Sequence, residues 1–529
     1  LTPPETTATV SAEVLPGIPA LALGLATGTP DVSAFLPDRW DAVAIAARAR
    51  EVLARFRPRA FPSADPLLAD LAAGRTAGIS AGQQVGLLGG PLLTLLKALA
   101  AVQVSREVEV PGPPMAPLFW CASEDHDLVE VTRFFVPGDA GPVDAGPDPT
   151  PLRANRRPVG GLPIEVDVAA LLDRAAAGLP AADAEARAAL VALHERRTYG
   201  EAFVAMLAWL VSEPSLRFAD GARAADKPDL VPLATRLVRE REAVRVLLAG
   251  RNAALEAAGH PLQVTNDPGA LPLFAIVGGE RFALREEETG ISLKGAPDGR
   301  RHDVEEVVAN FENGAWLPSF SALTRPLSAS VLYPVAATIL GPSEIAYWAQ
   351  SLPLFEWAGI RPPVIVPRPM AAPVSPPVRR ALNRLGIGVE GALGGAEALL
   401  SRAGAGRAAA PLERIRRIRQ AAHADLDRLA PDLLAIDGGL ARPLEAALKN
   451  VLFALEKLEE KTAHAAGRAD AASGALVSRI VQEIVPGGRL AERVYTAVPW
   501  LLRYGRDGLV GALKQQLRWN VTGLQVIEL

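Results

Sequence analysis

Between Trp40 and Phe56, Ala, Val, Ile and Leu recur at helical spacing until Pro58, which predicts a helix. The pattern then changes. Ile79-Ser80-Ala81-Gly82 reads as a short strand entering a glycine-rich turn, and Pro91–Val104 is apolar at a helical period. Pro117–Ala122 (PLFWCA) is a compact apolar run bounded by proline, as expected of a strand buried on both faces. Strand, glycine turn, helix and strand in this order form a βαβ unit. The economical fold is therefore α/β with a parallel, doubly wound sheet, preceded over residues 1–78 by an extended arm and helices.

Residues 137–162, rich in Pro, Gly and Asp, predict a loop or insertion. Helical patterns follow over about Ala169–Glu195, Glu201–Val211 and Arg236–Ala258. Pro272–Leu284 alternates around Gly278-Gly279 and predicts a hairpin. Ser330–Trp348 continues the α/β region, and Pro363–Val366 reads as a last buried strand ended by Pro367. Beyond about residue 376 one apolar seam runs through Ile415, Ile418, Ala422, Leu426, Leu429 and Leu433. A second runs through Leu444, Leu448, Val451, Leu455 and Leu458, with Glu456, Lys457, Glu459, Glu460 and Lys461 beside it and Asp437-Gly438-Gly439 between the two. This predicts an antiparallel helical hairpin with coiled-coil character. The tail, a helix near Leu490–Leu502 and an apolar end Leu524–Leu529, is expected to fold back onto the first domain. The predicted divisions are 1–375, 376–480 and 481–529.

A hydrophobic content of 49% over 529 residues argues against disorder and for two or three domains. A net charge of −4 without a basic stripe gives no electrostatic case for a nucleic-acid partner. The longest apolar stretch, Ile79–Val104, is broken by glycines, Gln83, Gln84 and Lys97, so no membrane span is expected. The opening LTPPETTATVS shows no basic segment followed by an apolar one, and a cytoplasmic location is expected. The single cysteine, Cys121, excludes an intrachain disulfide and any multi-thiolate zinc site. It lies in an apolar strand pattern and reads as a small core residue. His194, His260, His302, His423 and His464 lack metal-ligand spacing and are expected on the surface or in loops, so no metal site is predicted.

Three constellations can carry chemistry. In Ser80–Lys97 (SAGQQVGLLGGPLLTLLK), Gly82, Gly86, Gly89 and Gly90 allow close backbone approach and Pro91 suits a first helical turn, where free N–H groups attract anions. Gln83, Gln84, Thr94, Lys97 and Trp120 complete this candidate binding set. The spacing is neither a dinucleotide nor a Walker fingerprint, and a turn that merely joins strand to helix explains it equally well. In Ser123–Glu130 (SEDHDLVE), Glu124, Asp125, His126 and Asp127 follow a strand, where ligands of doubly wound sheets bind. They offer a general base, a metal-binding carboxylate or acceptors for sugar hydroxyls, or else simply cap a helix. In Gly341–Gln350 (GPSEIAYWAQ), Tyr347 and Trp348 can stack on a ring, Glu344 can accept from an amine, and Arg325 precedes them. Aromatics at this spacing more often belong to a core than to a pocket.

Together these segments resemble the cysteine-adding enzymes of bacillithiol biosynthesis. Ser80–Lys97 is similar to the family pattern TTGQQ-x-GLFTGPLYT-x-x-K, and Phe119–Glu130 to FW-x-x-GEDHDF-x-E. Gly341–Gln350 with Pro363–Arg368 matches GGP-x-EIAYWAQ and PVVVPR, and Leu490–Gly505 matches the LQER…RYG pattern. The chain departs from the family at Ala81, Gly89, Leu93 and Ser123. The resemblance implies a Rossmann-like core with inserted connecting elements, similar to class I aminoacyl-tRNA synthetases, and an α-helical coiled coil that forms a homodimer. It implies a ligase that joins L-cysteine to the amine of glucosaminyl-malate, with ATP and Mg²⁺ expected by fold analogy although no KMSKS-like element is present. By the same analogy the Gly82–Pro91 turn with Lys97 holds phosphate or malate. Zinc of the kind used by mycothiol-pathway ligases is not expected. Two other readings remain open at this point: an aminoacyl-adenylate or nucleotidyl-transfer enzyme with another acceptor, and a non-catalytic nucleotide- or thiol-binding dimer.

Overall fold

Five strands assemble side by side as one parallel sheet. In chain order they are β1 (Ala77–Gln83), β2 (Met115–Cys121), β3 (Arg217–Asp220), β4 (Val335–Leu340) and β5 (Val364–Pro367), arranged β5-β4-β1-β2-β3. Every residue of β2 and β4 is buried, which is why those runs do not alternate. The computed structural model describes residues 8–529 except 30–31, 37–39, 60–64, 110–112, 139–140, 178, 180–181, 266, 268, 406–407 and 469–470. The first seven residues of the expected arm, and Asp139-Ala140 of the expected loop, thus lie outside the described residues.

Helix α1 (Leu93–Glu109) carries the chain from β1 to β2, α2 (Lys227–Arg239) follows β3, and α3 (Pro342–Ala358) joins β4 to β5. Chain order reverses between β1 and β4, so a switch point opens beyond their carboxyl ends. Between β3 and β4 an antiparallel five-stranded sheet is inserted. The predicted hairpin is its centre, Ala270–Val277 paired with Glu280–Glu287, and Gly278 and Gly279 take φ of 59° and 84° at its turn. Gly290–Leu293, Arg301–His302 and Leu317–Phe320 complete that sheet.

Some boundaries differ from the sequence expectation. The stretch Ala169–Glu195 is two helices, Val168–Ala176 and Ala184–His194, because Asp183 caps a new start by accepting from the Ala186 amide at 2.8 Å. Arg236–Ala258 spans the end of α2 and a second helix, Arg241–Ala257, that meets it at Glu240. The expected 137–162 loop begins inside a hairpin, Phe135–Gly138 with Gly141–Asp144.

Helices α4 (Ala409–Ile436) and α5 (Ala441–Arg468) form the hairpin around Asp437-Gly438-Gly439 and are followed by α6 (Ala471–Ile484). Ile415, Ala422, Leu426 and Leu433 face inward on α4, as do Leu444, Leu448 and Leu455 on α5, whereas Ile418, Leu429, Val451 and Leu458 are exposed. The inner seam of α5 passes through Leu452 instead of Val451. After α6 the chain returns. Helix α7 (Val498–Gln516) runs well past the predicted end at Leu502 through a kink at Gly505, and its Trp500, Leu501, Leu509 and Leu513 join the core cluster of β1 and α1. Leu524–Glu528 then pairs parallel with Met370–Val374, just after β5, and antiparallel with Thr9–Val10.

Candidate active site

A cavity of about 1000 Å³ opens at the switch point. The end of β1 (Ser80–Gln83), the start of α3 (Gly341–Glu344) and the segment after β2 (Asp125–Glu130) line it, with Phe274 and Arg281 from the inserted sheet and Arg325 from the helix before β4. Asp125 sits among cations. Its Oδ1 lies 3.4 Å from Arg281 Nη1 and its Oδ2 3.7 Å from Arg325 Nη2, while Gln84 Nε2 donates to Oδ2 at 3.2 Å. Burial opposes ionisation of Asp125, but Arg281 and Arg325 outweigh it and hold the carboxyl below the ordinary aspartate range. Arg281 is fixed in turn. Its Nε donates to Ser319 Oγ at 2.8 Å and its Nη2 to the Phe320 carbonyl at 3.2 Å, with its guanidinium 3.6 Å from the Phe274 ring centre.

Arg281 Nη1 also lies 3.1 Å from His126 Nδ1. Arginine only donates, so Nδ1 accepts and the imidazole proton sits on Nε2. Burial, then Arg281, keep His126 below the usual histidine value against the pull of Asp125 and Asp127. His126 is therefore neutral near pH 7 and offers an N–H rather than a free base. Glu130 is the opposite case. It is exposed to the cavity, yet burial of its carboxyl and repulsion from Asp127 and Asp125 push its pKa above the ordinary glutamate value, although a hydrogen bond from Gln84 opposes them. Its raised pKa makes Glu130 the candidate proton acceptor of the cluster.

The other predicted residues separate into two groups. Gly82, Gln83, Gln84, Lys97, Trp120, Asp127, Tyr347 and Trp348 line the cavity with Asp125, His126, Arg325 and Glu344. Lys97, however, is fully enclosed. Its Nζ donates to the Gly82 carbonyl at 2.8 Å and Gln83 Oε1 at 3.0 Å, and pairs with Glu344 Oε2 at 2.5 Å. It is committed to the protein and is not a free phosphate ligand. Asp127 caps the short helix Leu128–Thr132 by accepting from the Glu130 amide at 3.0 Å, so its capping role and its place at the cavity coexist. Trp348 stacks on Phe355 at 5.8 Å and belongs to the core as much as to the cavity.

Glu124, Gly86, Gly89, Gly90, Pro91 and Thr94 stand outside the cavity lining. Glu124 is buried beneath it in an ion pair with Lys227 Nζ at 2.7 Å, where no substrate proton can reach it. The glycine turn proves architectural. Added at Gly86, a Cβ would meet Gly90 Cα at 2.8 Å, and at Gly89 it would meet Met206 Sδ at 3.2 Å. Within the turn Leu88 adopts φ 52°, and its amide donates to buried His194 Nε2 at 3.2 Å. His194, expected on the surface or in a loop, is thus a core pin for this turn. His302 is also buried, against Trp316. Cys121 is buried in β2, and burial raises its thiol pKa.

Residues 52–369 match the family model described as the bacillithiol biosynthesis BshC N-terminal Rossmann-like domain, and residues 371–529 match the BshC C-terminal coiled-coil domain. The chain belongs to the BshC family. A relative from Solibacter usitatus is 29% identical over 448 residues, 84% of this chain and 83% of its own length. One from Koribacter versatilis is 30% identical over 436 residues, 81% and 80%, and one from Geobacillus thermodenitrificans is 29% identical over 440 residues, again 81% and 80%. Each bears the name "Putative cysteine ligase BshC". The BshC patterns also held the signal for residues that the sequence reading passed over: Glu130 closes the second, Arg368 ends the third, and Arg493 lies in the fourth. Arg281 and Lys227 fall in no such pattern. Among the described residues no helix is long and apolar enough to cross a membrane.

Proposed function

We propose that the switch-point cavity forms an amide bond between the carboxyl of L-cysteine and the amine of glucosaminyl-malate. The single observation that carries the reading is the pairing in one cavity of a proton-accepting acid, Glu130, with an arginine-bearing side formed by Arg325, Arg368 and Arg493. Amide formation needs both. The attacking ammonium must lose a proton before its nitrogen can bond to the carboxyl carbon, and the anionic ends of the substrates must be held in register. Glu130 takes that proton, neutral His126 donates through Nε2 to a substrate oxygen, and ionised Asp125 fixes Arg281 and Arg325. A carboxylate oxygen leaves poorly, so ATP with Mg²⁺ is the activating substrate: the cysteine carboxylate would displace ADP or pyrophosphate from it, and that oxygen would depart with phosphate or AMP when the amine nitrogen bonds to the carbon. The unpartnered Nε atoms of Arg325 and Arg368 suit the negative charge of such groups. The ligase names of the relatives support the same chemistry. The exposed apolar side chains of the coiled coil, Ile418, Leu429, Phe453 and Leu458, suit a second copy of the chain, giving a homodimer. A reducing cytoplasm suits a protein whose one cysteine is buried.

The test is direct. Purified protein with L-cysteine, Mg·ATP and glucosaminyl-malate should yield the cysteinyl amide by mass spectrometry, and omission of any one should abolish it. Product with another amine acceptor but none with glucosaminyl-malate would replace the proposed acceptor.

A further inference from the structure

Arg493 reaches the cavity without an acid of its own. Its one hydrogen-bond partner among the described residues is Ser343 Oγ, 3.5 Å from Nη2, and no described carboxylate lies within ion-pair distance. Beside it Arg368 is almost wholly buried, its side chain 1% exposed. Two of the Arg368 nitrogens are satisfied by Glu492, at 3.0 and 2.7 Å, but Nε has no partner. That atom lies beside the start of α3: a Cβ built on Gly341 would be 3.6 Å from it. Helix α3 is 17 residues long, and its positive end adds to the same field.

The nearby acids are already engaged. Glu344 accepts from the Gly341 amide at 2.7 Å and pairs with Lys97, while Glu492 also accepts from the Ala371 amide at 2.9 Å. Lys97, Arg368 and Arg493 thus face two carboxylates, which leaves one cation in excess. Burial, then Arg368, push the Arg493 pKa down against Glu492 and Glu344. An unpaired, partly buried cation costs free energy, and such an arrangement persists where a ligand supplies the missing charge.

We propose that Arg493, Arg368 Nε and the first turn of α3 at Ser343 form an oxyanion subsite that takes a carboxylate or phosphate group of a substrate. The subsite stands on its own geometry and rests on the ligase reading only for which substrate brings the anion. It also ties two parts of the chain together: Arg368 follows β5 of the parallel sheet, whereas Arg493 comes from the returning C-terminal segment. Anion binding therefore clamps the C-terminal segment onto the sheet.

Malate and inorganic pyrophosphate are the probes, titrated into the full-length protein by calorimetry and followed by thermal melting. At least one should bind wild type and raise its Tm, and R493Q should weaken that binding about ten- to a hundredfold, the range for a lost hydrogen bond to a charged group. In anion-free buffer R493Q should melt at or above the wild-type temperature, since it removes an uncompensated cation. S343A should weaken the same probe by a smaller factor. Malate binding alone assigns the subsite to a carboxylate substrate, and pyrophosphate binding alone to a phosphate. If neither probe binds wild type, if R493Q binds as tightly as wild type, or if R493Q melts well below it without anion, the subsite is wrong. Anion binding by a protein that makes no amide would leave the subsite standing and remove the ligase reading, and product formation with unchanged anion binding in R493Q would do the reverse.

Discussion

Asp125 and Glu130 lie five positions apart in one acidic segment yet titrate in opposite directions. Arginines surround the first, whereas burial and the two aspartates press on the second. SEDHDLVE shows that acids are gathered but not which of them meets Arg281, since that arginine arrives from a hairpin more than 150 residues later. The raised pKa of Glu130 gives two signs. An acid whose folded pKa is raised contributes its stability in full below its ordinary value and loses it as pH rises through the raised one. E130Q should therefore be at least as stable as wild type at neutral pH, by thermal melting. As a base, Glu130 must be ionised, so product formation should fall as pH drops through that raised value, and E130Q should lose about a hundredfold or more at neutral pH. Glu124 differs. Both it and Lys227 are about 2% exposed, so E124Q leaves Lys227 buried and unpaired and should cost about 3–5 kcal/mol in a denaturant titration. Restored stability in an E124L/K227M double variant would identify the pair as architecture.

The elements most legible in the sequence were those whose burial is uniform. β2 and β5 declared themselves because proline-bounded apolar runs fit the middle of a parallel sheet. β3 did not: Arg217-Phe218-Ala219-Asp220 is short and polar at both ends, since Arg217 pairs with Asp65. The glycine turn was visible as a turn, but its function was not, because the side chains that pack on it, Met206 and His194, lie about a hundred residues downstream. In the coiled coil, apolar residues occupy both the inner seam and the outer face, and periodicity alone merged them. The distinction predicts two outcomes. Glutamate at exposed Val451 and Leu458 should leave helicity intact and shift the mass by light scattering towards monomer. Glutamate at half-buried Leu448 should lower helicity itself. A dimer unaffected by V451E/L458E would mean that this stripe is not the interface.

At the scale of the whole molecule, the site is a composite. The parallel sheet supplies β1, the inserted sheet supplies Arg281, and the returning tail supplies Arg493. Leu524–Glu528 pairs beside the strand that follows β5, and α7 packs into the core cluster of β1, so the end of the chain braces the cavity. Local motifs disclosed the first contribution. The fourth pattern contains Arg493 but does not show that it reaches the cavity, and Arg281 depends on a tertiary contact that no local spacing encodes. On the proposed reading this composite cavity makes the amide bond, with Glu130 taking the amine proton. The most direct measurement is single-turnover formation of cysteinyl-glucosaminyl-malate by wild type and E130Q, from mildly acid to neutral pH, with Tm recorded on the same samples. The wild-type rate should fall on the acid side, and the E130Q rate should be about a hundredfold lower at neutral pH with an unchanged or higher Tm. An E130Q protein that is folded and turns over at the wild-type rate with the same pH profile would contradict that reading.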